Sequence, residues 1–216
     1  MPRPSVEAER REQILSAACE VVSEIGFKSL RIADVAGRAG TSSGTVHYYF
    51  DTKTALMRAA FEWNFTRSLE RRRHLLEEHQ DPPQRLRAFV ESYLPGDPET
   101  VRAWHVWAEL WVEALHDPDL QELNEQVYGE WRRLVASIVR DGQDAGLFRD
   151  EDPVVVANAL IGMIDGLALQ VLLGSRSMTL ERMRAVCEQV LRSLTVGSSA
   201  QPPLDGRGAG STAATA

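Results

Sequence analysis

Cysteine is nearly missing from this chain of 216 residues. Only Cys19 and Cys187 occur, without CxxC spacing, which excludes a disulfide-stapled scaffold and a structural zinc site. No basic-then-apolar leader opens the sequence, so secretion has no visible signal and the expected location is the cytoplasm. No alternating apolar run competes with helical spacing, so the expected fold class is all-α. A nucleophile beside a base, a metal-spaced His/Asp/Glu set and a phosphate-binding Gly loop are all lacking. Neither an enzyme nor a cofactor or metal site is therefore expected. What remains is 44% hydrophobic and 25% charged, the balance of a soluble globular protein.

Positive charge is scarce overall but unevenly spread. The net charge is -7. Residues 1–76 hold 12 Lys+Arg against 9 Asp+Glu, or +3; residues 77–216 hold 12 against 22, or -10. A mildly basic head on an acidic body suits an anion-binding unit carried by something else.

The head reads as three helices over 7–52. The first runs from about Glu7 to Ile25, with Ile14, Leu15, Ala18, Cys19, Val22 and Ile25 on one stripe, and Gly26 as its left-handed stop. The second spans about Leu30 to Ala39, capped by Ser29 and ended by Gly40. The third reaches from Ser42 to Phe50. A long helix follows from Lys53, capped by Thr52, to about Glu78. The body, 53–195, continues with helices opened by Asp81-Pro82, Pro98, Asp117-Pro118 and Asp152-Pro153, and a last one between Thr179 and Leu194. Proline sits at the starts, where a missing N–H costs nothing. The first six residues read as a polar arm. Residues 196–216, poor in large apolar side chains, read as a disordered tail.

The third helix is too short to be stable alone, so neighbours must hold it. At ~100° per residue, Val46 and Phe50 face the core. Gly44 and Tyr48 lie opposite, flanked by Thr45 and His47. That outward face has hydroxyls, an imidazole, a ring and a glycine, and no acid, which suits a DNA major groove and its phosphate walls. Ser42 and Ser43 sit where free N–H groups meet a phosphate. Lys53 is placed to reach another. Spacing alone fits a generic turn in an α-bundle equally well; the charge split favours the DNA reading.

The stretch 26–56, GFKSLRIADVAGRAGTSSGTVHYYFDTKTAL, resembles the TetR family of bacterial transcriptional regulators. Gly26-Phe27, Ile32 to Ala36, Ala39-Gly40, Ser42, Gly44-Thr45-Val46, Tyr48, Phe50, Lys53 and Leu56 carry the match. Trp107-Ala108, Asp117-Pro118 and Ile164-Asp165-Gly166-Leu167 look similar to the choline-responsive betaine regulator branch. Arg31 departs from the Thr cap common in the family, so either Ser29 caps the second helix instead or Arg31 contacts a phosphate. His47 stands where Tyr is common. The resemblance implies a ligand-released repressor that binds a palindromic DNA operator as a homodimer. Its two third helices would enter successive major grooves roughly 34–36 Å apart or a little more. The DNA-contacting set is Arg31, Ser42, Ser43, Gly44, Thr45, His47, Tyr48, Tyr49 and Lys53.

In the body, the apolar run from Val154 to Gly174 is interrupted by Asn158, Asp165 and Gln170. A helix shared between core and dimer interface fits it better than a membrane span, given Asp165 at mid-run. With the helix at about 119–145, which carries Leu134, Val135 and Ile138, it is expected to form a four-helix bundle across a two-fold axis. Trp104, Trp107 and Trp111 share one face, as do Ala108 and Leu115. Core packing and the wall of a ligand pocket both fit that stripe. The pocket set is Phe61, Phe65, Phe89, Tyr93, Trp104, Trp107, Trp111 and Asp165, and clustered aromatics hold cations on their negative faces. A cationic or hydrophobic small molecule is therefore the expected effector. His105, Glu109 and His116 read as a solvated polar face, and Arg71-Arg72-Arg73 as a solvated or salt-bridged run.

Overall fold

Aspartate followed by proline starts four of the helices. The computed structural model describes residues 6–197. Among them α5 (Pro82–Glu91), α6 (Pro98–Ala114), α7 (Pro118–Asp144) and α8 (Pro153–Leu172) each begin on proline. Asp81, Asp97, Asp117 and Asp152 precede them, each accepting hydrogen bonds from first-turn amides. The carboxylate satisfies donors the helix cannot, while proline presets φ and removes another. α9 (Leu180–Leu194) is capped in the same way by Thr179.

The head is α1 (Val6–Ser29), α2 (Ile32–Arg38) and α3 (Ser43–Tyr49). α1 is broken at Gly26, where φ is 76° and ψ 161°. This is a glycine-only conformation, not the left-handed stop expected from sequence. Phe27 to Ser29 make one further turn, so Ser29 ends α1 and does not cap α2. Arg31 occupies the cap position, and its amide donates to Asp34 Oδ2 at 3.0 Å. Arg38 ties α2 to α1 through Glu24 at 2.6 Å and Glu20 at 3.0 Å. That bond holds the Glu24 carboxyl below its ordinary range.

Gly40, at φ 62°, makes the turn between α2 and α3. Its amide bonds Gly37 O, and Thr41 N–H reaches back to Ala36 O at 2.9 Å. This paired closure needs a left-handed residue, and glycine takes it without Cβ strain.

α4 (Lys53–Glu77) starts three residues after Phe50 and runs from the head into the body. One continuous core joins both parts: Ile14, Val35, Val46 and Leu56 in the head, and Leu86, Leu110, Ile138 and Ile164 in the body, are all buried. α7 packs most extensively on α8, and α6 touches α1, α4, α7 and α8. A single antiparallel bridge pairs Phe148 with Thr195. Val196, assigned from sequence to the tail, still donates to Leu147 O. The rest of the expected tail (198–216) and most of the polar arm (1–5) lie outside the described residues.

The two helices expected at the dimer interface differ in what they leave exposed. Val135 and Ile138 of α7 are buried inside the protomer and Leu134 is half-buried, because α7 packs against α5, α6 and α8. Its outward face carries Glu122, Glu125, Arg133, Arg140 and Asp144. α8 differs. Among the described residues it is the one helix long and apolar enough to cross a bilayer. Only one side of it enters the core. Val155, Ala159, Gly162, Gly166, Leu169 and Leu173 form an exposed stripe of small and apolar residues on the other. Beside it α9 exposes Ala185, Gln189 and Arg192.

Candidate DNA interface and ligand box

α3 is held from beneath and open above. Val46 is fully buried and Phe50 nearly so, with the Arg11 guanidinium 5.4 Å from the Phe50 ring. Ser42 Oγ accepts Thr45 N–H at 3.0 Å and lies 2.9 Å from Thr45 Oγ1, so one Ser–Thr pair caps the helix. On the opposite side Tyr48 is 75% exposed, and Ser42, Gly44 and His47 are exposed with it. Ser43, Thr45 and Tyr49 are half-buried at its borders. Tyr49 stands edge-on to Tyr48, with ring centroids 5.1 Å apart. Arg31 is exposed, and its amide makes the capping bond to Asp34.

Lys53 is less free than its sequence position implies. Its Nζ donates to Lys28 O at 3.2 Å and sits 4.5 Å from the Phe27 ring centroid. It remains half-buried on the same edge of the head.

The body holds a small, almost wholly apolar cavity. Phe89 and Tyr93 of the α5 region, Trp104, Trp107 and Trp111 of α6, Tyr128 and Trp131 of α7, and Asp165 of α8 line it, with Val127, Ile161 and Ile164. Tyr93 meets Trp131 at 5.5 Å and Trp104 at 6.1 Å edge to face, and Phe89 lies tilted against Tyr93 at 5.0 Å. Trp104 Nε1 donates to Tyr93 O at 2.8 Å, which fixes the indole. The Tyr93 hydroxyl is buried and has no hydrogen-bond partner among the described residues.

Asp165 supplies the one carboxyl group of the box. Burial raises its pKa to about 6, opposed by the Tyr128 hydroxyl, which donates to Oδ2 at 2.5 Å. A single acid among aromatic rings sets a carboxylate beside ring faces, and both carry negative potential.

Six of the eight residues expected at a pocket therefore come together there. Phe61 and Phe65 do not. Phe61 is fully buried in the core. Phe65 stands in a second layer, 5.6 Å from Trp131 and 6.4 Å from Trp107. Tyr128 and Trp131 were missed; their spacing of three on an amphipathic helix was a usable sign that both face one way. Leu115, grouped with the tryptophans from sequence, is 71% exposed just past the end of α6.

Glu109 is not on a solvated face. Its Oε2 accepts Phe27 N–H at 2.8 Å, so α6 grips the end of α1 from the side opposite the box. His105 and His116 are exposed. Among the described residues no group of three or more His, Cys, Asp or Glu is arranged to hold a metal ion.

A helix-turn-helix head with an open, acid-free face, set on a helical body with an aromatic-lined cavity, fits the class of ligand-binding transcriptional regulators. Residues 14–60 match the family of bacterial regulatory proteins of the tetR type, and residues 82–196 match the C-terminal domain of BetI-type transcriptional repressors. The HTH-type transcriptional regulator BetI of Stenotrophomonas maltophilia is 31% identical over 191 residues, covering 86% of this chain and 93% of that protein. Among solved structures, a transcriptional regulator from Saccharomonospora viridis in complex with choline superposes with a TM-score of 0.83 at 32% identity, covering 87% of this chain and 98% of the other. A TetR-family regulator from Rhodococcus sp. gives 0.77 at 25%, covering 87% and 99%. The chain belongs to the TetR family, with a BetI-type C-terminal domain. It is a DNA-binding, ligand-responsive transcriptional repressor, and the family is one of regulators, not enzymes.

Proposed function

We propose that the chain is a choline-type sensor, a homodimeric repressor released from its operator by a small quaternary ammonium compound. The observation that carries this is the box itself. Tyr93, Trp104, Trp107, Trp111 and Trp131 surround a site with one carboxylate. A tetra-alkylated nitrogen has no N–H to satisfy, so it binds through dispersion and ring faces without leaving a buried donor unpaired. The unpartnered Tyr93 hydroxyl supports a ligand that carries its own hydroxyl. The choline held by the Saccharomonospora viridis regulator points to the same class.

DNA contacts are assigned to Arg31, Ser42, Ser43, Gly44, Thr45, His47 and Tyr48, with Tyr49 and Lys53 at the margin. The head (7–52) docks α3 in the major groove and the body (53–195) binds ligand and partner. The second copy covers the exposed stripe of α8 together with α9, so that two α3 helices meet successive grooves of a palindromic site. The chain acts in the cytoplasm, where the operator is. Ligand favours a state in which α4 has moved and the spacing no longer matches.

The test combines two titrations. Choline should quench or shift the tryptophan fluorescence of the purified protein. It should also weaken binding to DNA flanking the protein's own gene, and that binding should fall steeply with salt. Tight, salt-steep DNA binding together with a flat choline titration would overturn the ligand class and leave the regulator standing.

A further inference from the structure

Arg72, in the middle of α4, is 4% exposed and has no carboxylate within ion-pair distance among the described residues. Its neighbours on α4 behave as a surface run should: Arg71 pairs with Glu99 and Arg73 reaches Glu130. Arg72 instead turns inward. Nε donates to Ser92 Oγ at 3.0 Å and Nη2 to Ser92 O at 2.9 Å; Nη1 donates to Ser68 O at 3.1 Å and to Ser68 Oγ. These neutral acceptors satisfy its N–H groups but not its charge. A guanidinium stays charged even when buried, so the fold carries a cation without a direct counter-ion, attracted only at a distance by Asp97, at a considerable desolvation cost.

Two aromatic rings moderate that cost. The Arg72 guanidinium lies 3.6 Å from the Tyr93 ring centroid and 5.5 Å from that of Trp131. Both rings line the effector box, and Arg72 does not. One face of Tyr93 is thus already occupied by a cation at contact distance. A ligand in the box has the other face or the edge.

We propose that Arg72 is a built-in opposing charge: effector and Arg72 compete through the same Tyr93 and Trp131 rings, and this repulsion is how filling the box displaces α4. The inference rests on the reading that the box takes a cation. Its physical content is simple. Two like charges on either side of one ring each weaken the other's attraction to it, in a low-dielectric setting where screening is poor. Arg72 is fixed to α4, and α4 starts three residues after Phe50, which is buried under the recognition helix. Ligand binding is therefore strengthened by any shift of α4 that carries Arg72 away from Tyr93, and by linkage the DNA-competent position of α4 weakens ligand binding equally. Arg72 is a positioning residue; it touches neither ligand nor DNA.

The test uses the full-length dimer, choline, and choline's neutral isostere in which a carbon replaces the quaternary nitrogen. Arg72→Met keeps length and removes charge, a kind of replacement that buried ionic sites often tolerate. It should bind choline about tenfold more tightly than wild type in calorimetry, bind the neutral isostere with unchanged affinity, and retain operator binding. Choline should then lower its operator affinity less than threefold. Arg72→Lys, whose buried ammonium sheds its charge more readily than a guanidinium, should fall between wild type and Arg72→Met in choline affinity and release. This second variant decides the matter if Arg72→Met does not fold: weaker choline binding than wild type, or an equal gain for the neutral isostere, overturns the proposal. So does an Arg72→Met protein with wild-type affinity and release, or one that gains equally for the neutral isostere. A wild-type protein that binds DNA but no quaternary ammonium compound overturns the box reading first, and this inference with it.

Discussion

The recognition face and the effector box are built in opposite ways. On α3, Tyr48, His47 and Gly44 stand in water above a buried Val46 and Phe50, with few fixed partners of their own. In the box, Trp104, Tyr93 and Trp131 are buried and hold one another edge to face. The difference follows from what each must bind. A phosphate-lined duplex is large, hydrated and negatively charged, so its reader keeps donors exposed and exchanges water at the last moment. A quaternary ammonium compound, the ligand class proposed for the box, has no N–H on its charged centre and gains there from dispersion and ring faces, so a ring-lined apolar site suits it.

Breaking each region should therefore fail differently, and substitutions beneath the faces should cost most. Phe50→Ala removes the ring under α3 and is expected to lower stability by about 3–5 kcal/mol in chemical denaturation. Operator binding would then be lost through unfolding. Near-wild-type denaturation would show that the ring contributes little to holding α3. Asp165→Asn is expected next in size. It should weaken choline binding by about tenfold and leave operator affinity unchanged in the absence of ligand, measured by calorimetry and DNA titration.

The same carboxyl sets a pH dependence. Asp165 has its folded pKa raised to about 6 by burial. The ionised form, which attracts a cation, is therefore lost as pH falls through about 6. Choline affinity should drop between pH 7.5 and 5 in wild type and stay flat in Asp165→Asn. For folding the sign is reversed. Because the acid form is favoured in the folded state, this group's destabilising contribution appears as pH rises from the ordinary carboxylate value toward 6 and is constant above it. A choline affinity independent of pH would remove Asp165 from the cation site.

Exposed contacts should have the smallest effects on the fold and selective effects on DNA. Tyr48→Ala should weaken operator binding about tenfold with an unchanged thermal midpoint and an unchanged choline titration. Lys53→Ala should cost less, about threefold. Its Nζ is already engaged by Lys28 O and the Phe27 ring, so only part of its charge is free for phosphate. If it contacts one phosphate, the dependence of log affinity on log salt should become shallower by about one. Equal losses for the two variants would put Lys53 closer to the duplex than its tether implies.

Much of the head was legible because its rules are local. Val46 and Phe50 inward, Tyr48 outward, follows from helical spacing within one short element. The Gly40 turn follows from a residue type that tolerates positive φ. Local rules failed where a distant group intervened. Gly26 takes an extended glycine-only conformation instead of the left-handed stop, and Phe27 N–H beside it finds Glu109, 82 residues on. Lys53 looked free because nothing in its neighbourhood says that Lys28 O and Phe27 fold back on it. The Arg71-Arg72-Arg73 run looked uniform, yet α4 turns its middle member into the protein and leaves the outer two at the surface.

The chain's own letters settled where most of the helices begin and which side of each is apolar. Backbone hydrogen bonding and side-chain spacing act over only a few residues, and those choices need no more. Which apolar sides meet was decided in three dimensions. Phe89, Trp104, Trp131 and Asp165 come from four helices and close one box only because α5, α6, α7 and α8 pack together. Whether α7 or the α8–α9 pair is left outside depends on how much surface the protomer itself covers, and helix periodicity, which labels a face but not its partner, carries no record of that.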